Sequence, residues 1–408
     1  MTLEYPRPIS YWQHTQRNST PLHAMPRDAE IVVIGAGVHG ASAAYWAARL
    51  GGKPVVLERG LPAHGASGRN GGLCVVGPAG DYATLAAEEG RDRARTILLD
   101  TLAGHRMLAE VVADEHIDAS LRLNGHLSLA LSGDEFSRMR SSVALMKEDG
   151  IEVEMVGAGD LKRWFAIDAS TDVVGAQFIA DAAQLHSGDL VNGLLAAATR
   201  YGARVCAGVE VIAVEPDPVG VRVITNQGDM RAGAVCLCVN AWSAQLIPAL
   251  NGIVTPVRGQ VLAYGQSPRA FDVGIGVSVT PTGEYGQQLP NGEIVFGGCR
   301  ALAPGADIGS YDVDGSGDVQ RGLEDVLPRL FPKIELGPVT QRWSGTMAFT
   351  ADHNPVFGRL GSMPVYYAGG FSGHGMPYAM RFGGWLARSA IQGELVEDAK
   401  TYAVERLW

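Results

Sequence analysis

The hexapeptide Gly35-Ala36-Gly37-Val38-His39-Gly40 lies between an apolar run, Ile31-Val32-Val33-Ile34, and a run of small residues, Ala41-Ser42-Ala43-Ala44. This order writes a strand, a tight glycine turn and the start of a helix. Backbone N–H groups and the positive end of a helix dipole then converge where a pyrophosphate can sit. Gly35 permits the turn, Gly37 admits the diphosphate to the backbone, and Gly40 lets helix and strand pack closely. Beyond the helix, Lys53-Pro54-Val55-Val56-Leu57-Glu58 reads as a second strand ending in a carboxylate. Its spacing is the roughly 20 residues expected of an acid that hydrogen-bonds a ribose hydroxyl. Such an acid selects an unphosphorylated ribose, so FAD or NAD and not NADP. The unit alone does not separate those two.

Two further segments extend the pattern. Ala66-Ser67-Gly68-Arg69-Asn70-Gly71-Gly72 is too polar and glycine-rich for a core strand. It suits a loop that brings many N–H donors against a large, planar, polar-edged ring. Near the other end, the short strand Val365-Tyr366-Tyr367-Ala368 runs into Gly369-Gly370-Phe371-Ser372-Gly373-His374-Gly375-Met376, followed by a helix predicted from Pro377 through Ile391. Two strand-to-helix glycine turns far apart in one chain point to one extended ligand gripped at both ends. A helix N-terminus near a flavin's pyrimidine side would stabilise the reduced ring.

The elements that must position these segments fall into an interleaved order. Residues 1–27 read as an extended arm, with Tyr11 and Trp12 as anchors against the body. Helical periodicity runs from about 84 to 115, strands resume near 125–131, and a helix covers about 134–148 before a strand at 151–156. Leu190 to Arg200 reads as a helix, Val205 to Val214 as a strand, and Val221–Thr225 with Met230–Val239 as a hairpin and following strand. The β-rich stretch 254–300 predicts an antiparallel sheet unlike the parallel nucleotide unit, and 302–318 a surface loop. The fold class is thus α/β (mixed α+β). A Rossmann-like nucleotide domain (28–115, 175–245 and 340–408) is interleaved with an antiparallel-sheet substrate domain (116–174 and 246–339).

Composition excludes several classes. The 408 residues suffice for two domains, and the 46% hydrophobic and 19% charged content is that of a globular protein. A net charge of −10 argues against nucleic acid or an anionic membrane as a general partner. No apolar run is long enough to span a bilayer. The five cysteines show no CxxC pair, and no HxxxH occurs, so no metal is expected. Their odd number, without a secretory leader, fits a reducing, cytoplasmic compartment. Cys236 and Cys238 read as buried, inert thiols.

These motifs together resemble the FAD-dependent D-amino-acid oxidase superfamily, which includes glycine, sarcosine and γ-glutamylputrescine oxidases. The matching pieces are the stretch from Ile31 to Glu58, ASGRNGG, CVNAW at 238–242, PVRGQ at 256–260 and YAGGFSGHGM at 367–376. The ASGRNGG segment is most similar to the γ-glutamylputrescine oxidase-like branch. The resemblance implies that Gly35, Gly37, Val38, His39 and Gly40 bind the pyrophosphate and Glu58 with Arg59 the adenosine. Ser67, Gly68, Arg69, Asn70 and Gly71 would line the flavin. Glu210 and Val211 would offer strand backbone to the adenine. Gly373, His374, Gly375 and Met376 would contact the isoalloxazine, and Asn240, Gly345, Gly370 and Phe371 would also bind the cofactor. His374 reads equally as a structural histidine beside the ring and as a substrate-facing one.

The departures bear on the substrate. Amino-acid-oxidising members carry Trp-x-Gly-x-Arg-Pro, whose arginine grips the substrate carboxylate. Here the stretch is Trp343-Ser344-Gly345-Thr346-Met347-Ala348, with Met347 in the arginine's place, and a thioether makes no bidentate carboxylate contact. The lysine that sarcosine-oxidising members place after the glycine turn is absent, as is the cysteine that tethers their flavin near Trp343. The resemblance therefore implies non-covalent FAD and an amine or N-substituted amine as substrate. Arg300 and Arg342 remain as cations from other positions. The expected reaction is hydride transfer to flavin N5, imine hydrolysis and reoxidation by oxygen to hydrogen peroxide. Tyr285, Gln288, His374, Met347 and Trp343 are expected at the substrate pocket. The alternatives are an amino-acid oxidase, a dehydrogenase that passes electrons to a quinone or other carrier, a nicotinamide enzyme, and a non-catalytic flavin-binding subunit.

Overall fold

A computed structural model describes residues 7–280 and 282–408. Residues 1–6 of the expected arm lie outside the described residues. The first sheet runs in the order Val356–Arg359, Val365–Gly369, Gly228–Leu237, Asp28–Ile34, Val55–Glu58, Arg204–Ala207. Its central strands are parallel, so both faces are covered and the strands read as continuous apolar runs. Val32, Val33, Val56, Val205, Val235 and Leu237 are fully buried. Each such side chain contributes about 1.5–3 kcal/mol of hydrophobic stabilisation. The helix Val38–Arg49, rich in alanine, packs close against the helices Ser187–Arg200 and Ala379–Gln392.

The second sheet runs in the order Val339–Phe349, Thr255–Tyr264, Ile294–Gly297, Tyr285–Gln288, Gly276–Thr280, His126–Ala130, Gly175–Ile179, Val153–Gly157. It is antiparallel except for one parallel pair, His126–Ala130 with Gly276–Thr280. Leu127, Leu129, Val277 and Val279 point into an apolar core on one face. His126, Ser128 and Ser278 alternate onto the other, as a period of two requires. That polar face looks toward the first sheet.

The chain passes between the two sheets more than once. Gly175–Ile179 and Val339–Phe349 both pair within the second sheet, so the changeovers fall after Ile179 and after Phe349, not at 175 and 340. No composition shift marks either point, because the chain enters each strand directly. Two elements read as single are broken by glycine. Gly90, at φ 90°, divides Tyr82–Glu89 from Arg91–Asp114. Gly208, at φ 73°, divides Arg204–Ala207 from Val211–Asp217. The segment 302–318 contains a 3-10 turn, Pro304–Asp307, fastened to Thr255–Tyr264 by a bidentate Arg258–Asp307 pair at 2.7 and 2.9 Å.

The N-terminal arm is not wholly extended. Ser10 caps a single helical turn, Tyr11–His14, through a capping box with Gln13. Tyr11 and Trp12 are buried with Trp343, Val261 and Leu289. Among the described residues, no helix is long and apolar enough to cross a membrane.

Candidate active site

One cleft of about 980 Å³ runs between the two sheets. At one end stands the first glycine turn. Gly35 adopts φ 99°, and a Cβ added there would lie 2.8 Å from the Cys238 carbonyl oxygen. A Cβ on Gly40 would lie 1.9 Å from the Gly35 carbonyl oxygen. Gly40 does not line the cleft and serves close packing of helix on strand. Gly37 does line it, beside Val38 and His39. The Val38 N–H donates to the Ser67 hydroxyl at 2.9 Å, which ties the turn to the polar loop.

Glu58 is buried at the end of its strand. Its carboxylate accepts the Ala36 N–H at 2.8 Å and the Gly60 N–H at 2.9 Å. Burial raises its pKa, partly offset by those two N–H groups and the nearby Arg59. The Arg59 guanidinium lies over the Trp242 ring at 4.6 Å, and both line the same end of the cleft with Val209, Glu210 and Val211. Glu210 pairs its own backbone N–H with the Asn226 side chain and its carbonyl with the Asn226 N–H. It therefore holds the Gly208–Val211 bend.

The loop 63–72 forms the middle of the cleft, and buried side chains hold its carbonyls from behind. Ser10 donates to Gly68, Gln13 to Ala63 at 3.0 Å and His64 at 3.1 Å, and Trp12 to Asn70 at 2.5 Å. From the second sheet, Trp343 donates to Arg69 at 3.0 Å and Gln287 to Gly71 at 2.8 Å. With its acceptors engaged behind, the loop turns Ser67, Arg69, Asn70 and Gly71 into the cleft. Arg69 is itself buried, which pulls its pKa down to about 10, and it donates to the Ser344 carbonyl at 2.8 Å. Gly68 lies beneath the surface, where a Cβ would meet the Ala63 carbonyl oxygen at 2.1 Å.

The arm thus acts as a latch. Trp12→Phe keeps the packing and removes one hydrogen bond, a loss of about 1 kcal/mol. Backbone amides at 66–72 are expected to exchange with deuterium roughly fivefold faster. Unchanged exchange in that loop would contradict the latch.

The second glycine turn closes the cleft opposite. Phe371 stacks on His39 with centroids 3.7 Å apart and planes at 18°, so the two turns meet directly. Phe371, Gly373, His374, Gly375 and Met376 line the cleft. Gly370 does not; its N–H donates to the Asn240 side chain at 3.0 Å, so this pair fixes the turn from below. The following helix begins at Ala379, two residues later than expected. His39 Nε2 and His374 Nε2 are buried without a hydrogen-bond partner. Burial lowers both pKa values, that of His39 to about 3, so both rings are neutral near pH 7.

The substrate end lies over the polar face of the second sheet. Met347 and Tyr285 line it, with Tyr285 covering Gly71, where a Cβ would meet the ring at 2.7 Å. Burial pushes the Tyr285 hydroxyl up to about 12, with Arg300 opposing. Two expected pocket residues are elsewhere. Gln288 is buried and accepts the Ala270 and Phe271 N–H groups at 2.9 and 3.1 Å, so it is a structural clamp. Trp343 shares the strand face of Met347 but is covered by Trp12 and the arm. Arg342 is also directed away, toward Glu324 at 2.9 Å.

Sequence reasoning missed His126, Ser128, Ser278 and Glu284, which line this end. His126 Nε2 lies 2.8 Å from the Ser278 hydroxyl, which reaches Ser128 at 3.1 Å. Burial lowers the His126 pKa to about 3. The polar–apolar alternation of His126-Leu127-Ser128-Leu129 carried the signal.

The cleft fits an FAD. The turn at Gly37, the buried Glu58, the loop at 67–71 and the unpartnered imidazole nitrogens are spread along one continuous space, longer than a mononucleotide needs. Comparison with known proteins agrees. Residues 30–389 match the family model for FAD dependent oxidoreductases, DAO. The chain is 25% identical over 398 residues to γ-glutamylputrescine oxidoreductase of Escherichia coli (strain K12), covering 94% of this chain and 89% of that protein. It is 24% identical over 384 residues to glycine oxidase of Bacillus subtilis (strain 168), covering 92% and 96%. Glycine oxidase from Geobacillus kaustophilus shares the fold at TM-score 0.77 with 21% identity, over 93% of this chain and 99% of that one. L-proline dehydrogenase from P. horikoshii does so at 0.77 with 20% identity, over 94% and 98%. With the family model matched over residues 30–389, and with its glycine turns, acid and polar loop disposed along one cleft, the chain belongs to the DAO family of FAD-dependent oxidoreductases.

Proposed function

We propose that this flavoenzyme oxidises the C–N bond of an amine or N-substituted amine and not that of a simple α-amino acid. The observation that carries this reading is Met347. Its side chain lies in the cleft beside Gly373, at the position where amino-acid-oxidising members carry the carboxylate-binding arginine. A flavin held by the turn at Gly37, by Glu58 and by the loop at 67–71 would supply the acceptor for the hydride that leaves the carbon bearing the amine, with oxygen as the final oxidant yielding hydrogen peroxide. The oxidised substrate is an imine, which water hydrolyses to a carbonyl compound and ammonia, or to a carbonyl compound and an amine where the nitrogen is substituted.

The chain's own residues position and desolvate. His126 and His374 are neutral near pH 7 and put no positive charge against an incoming amine. The Ser128 and Ser278 hydroxyls offer hydrogen bonds that accept or donate. Tyr285 stays protonated and walls the ring edge at Gly71. No strong base is required, because the amine enters unprotonated and position supplies much of the rate. The five described cysteines are all free and buried, which supports a cytoplasmic location.

The test is a peroxide assay run beside an artificial-dye assay on primary and secondary amines. Peroxide formed in step with amine consumption is the expected result. Dye reduction without peroxide would replace oxygen by another acceptor. No turnover of amines in either assay would contradict the proposal.

A further inference from the structure

We propose that the cleft carries an arm for an uncharged, unbranched aliphatic chain on the substrate, running from the flavin loop across the second sheet to a methionine roof. This inference rests on the amine reading of the cleft and deepens it. The register of the sheet draws the arm's floor. Tyr285 pairs with Ser278, Ser278 with Ser128, and Ser128 with Gln177. Residues paired directly across strands share a face, so these four side chains form one row across the strands. All four line the cleft. Tyr285 stands over Gly71 of the flavin loop, and the row leads away from it. Adjacent strands lie about 4.8 Å apart, so the row covers about 10 Å from Ser278 to Gln177. Ile179 pairs with His126 in the neighbouring row and lines the cleft beside it.

The roof is the helix Gly133–Glu148. Met139, Ser142 and Met146 recur at helical spacing on its buried face, and all three line the cleft. Met146 meets the floor directly, its sulfur accepting the Gln177 amide at 3.7 Å. Two methionines on a helix give a wall that is apolar and adapts its shape.

The polar groups of the arm are engaged with one another. The Ser278 hydroxyl reaches His126 at 2.8 Å and Ser128 at 3.1 Å. Ser142 accepts the Ala83 N–H at 2.9 Å and donates to Asp81, whose carboxylate also caps the helix Tyr82–Glu89. The arginines that line the cleft stand in its other parts: Arg59 over Trp242, Arg69 against Ser344 and Arg300 over Phe349. A charged group would enter this arm without a counter-ion, whereas a hydrocarbon chain leaves every hydrogen bond in place. A zigzag chain advances about 1.3 Å per carbon at bond lengths of about 1.5 Å, so roughly seven or eight carbons fill the arm. The substrate class is an amine on an unbranched aliphatic chain of that order.

The test measures binding of butanamide, hexanamide and octanamide to the flavin-loaded enzyme by calorimetry. Affinity is expected to rise about fourfold with each methylene that the arm buries. Ile179→Phe narrows the arm and should weaken octanamide at least about tenfold, with butanamide changed by less than about twofold. Equal affinity for the three amides in the wild type, equal octanamide affinity in the two proteins, or a parallel loss of butanamide would each overturn the arm. The wild-type series decides by itself should the variant not load flavin. None of these amides is an oxidisable amine, so the outcome is independent of whether amines reduce the flavin.

Discussion

Gly37→Val is expected to give a folded, colourless protein. Gly37 has φ −79° and ψ −177°, a region open to every residue type, so the backbone accepts a side chain. The obstacle lies in the cleft. A Cβ there stands 3.0 Å from the Ser67 hydroxyl oxygen, and the two methyl groups of valine would occupy the approach of a diphosphate to the helix N-terminus. FAD affinity should fall at least about a hundredfold, about 2.7 kcal/mol. The unfolding temperature of the flavin-free protein should stay close to that of the wild-type apoprotein. Visible absorbance per chain measures the first quantity and thermal unfolding the second. Normal flavin content would remove the pyrophosphate from this turn. Gly35→Val is the contrasting variant, because its positive φ and the Cys238 carbonyl make the substitution strained in the fold itself.

The second large effect is a gain. Met347→Arg places a guanidinium where the substrate carboxylate of amino-acid oxidases is held. The side chain has room, since the Met347 thioether faces glycine at 259 and at 373. A charge-assisted bidentate contact contributes about 1.5–3 kcal/mol, so flavin reduction by glycine or sarcosine should improve roughly ten- to a hundredfold in apparent second-order rate constant. Amines without a carboxylate should gain nothing. An unchanged preference would show that Met347 does not set the choice between amine and amino acid.

The nucleotide half of this site was legible because its chemistry is local in sequence. The strand, turn, helix and acid between Ile31 and Glu58 follow one another, and the residues that line this end of the cleft also fold the unit. The substrate half is assembled across strands. Tyr285, Ser278, Ser128 and His126 meet only through pairing of Tyr285–Gln288, Gly276–Thr280 and His126–Ala130, one pair of which is parallel. Periodicity showed which face each residue takes but not which strands are neighbours. Gln288 and Trp343 were misplaced for other reasons. Gln288 sits one residue from Gln287, and the pleat turns it to the opposite face. Trp343 is on the correct face but is covered by an N-terminal arm some 330 residues away in the chain. The arm's function was equally illegible, because Ser10, Trp12 and Gln13 act on carbonyls of a loop that no local pattern connects to them.

In the proposed reaction the cleft presents an amine to FAD without the carboxylate grip of an amino-acid oxidase. The most direct measurement is anaerobic reduction of the bound flavin by primary, secondary and N-acylated amines beside glycine, sarcosine and D-alanine. Bleaching by amines, with the small amino acids inert at the same concentration, is the predicted result. Rapid bleaching by the small amino acids would place a carboxylate-binding cation next to the reacting carbon and contradict the account of Met347.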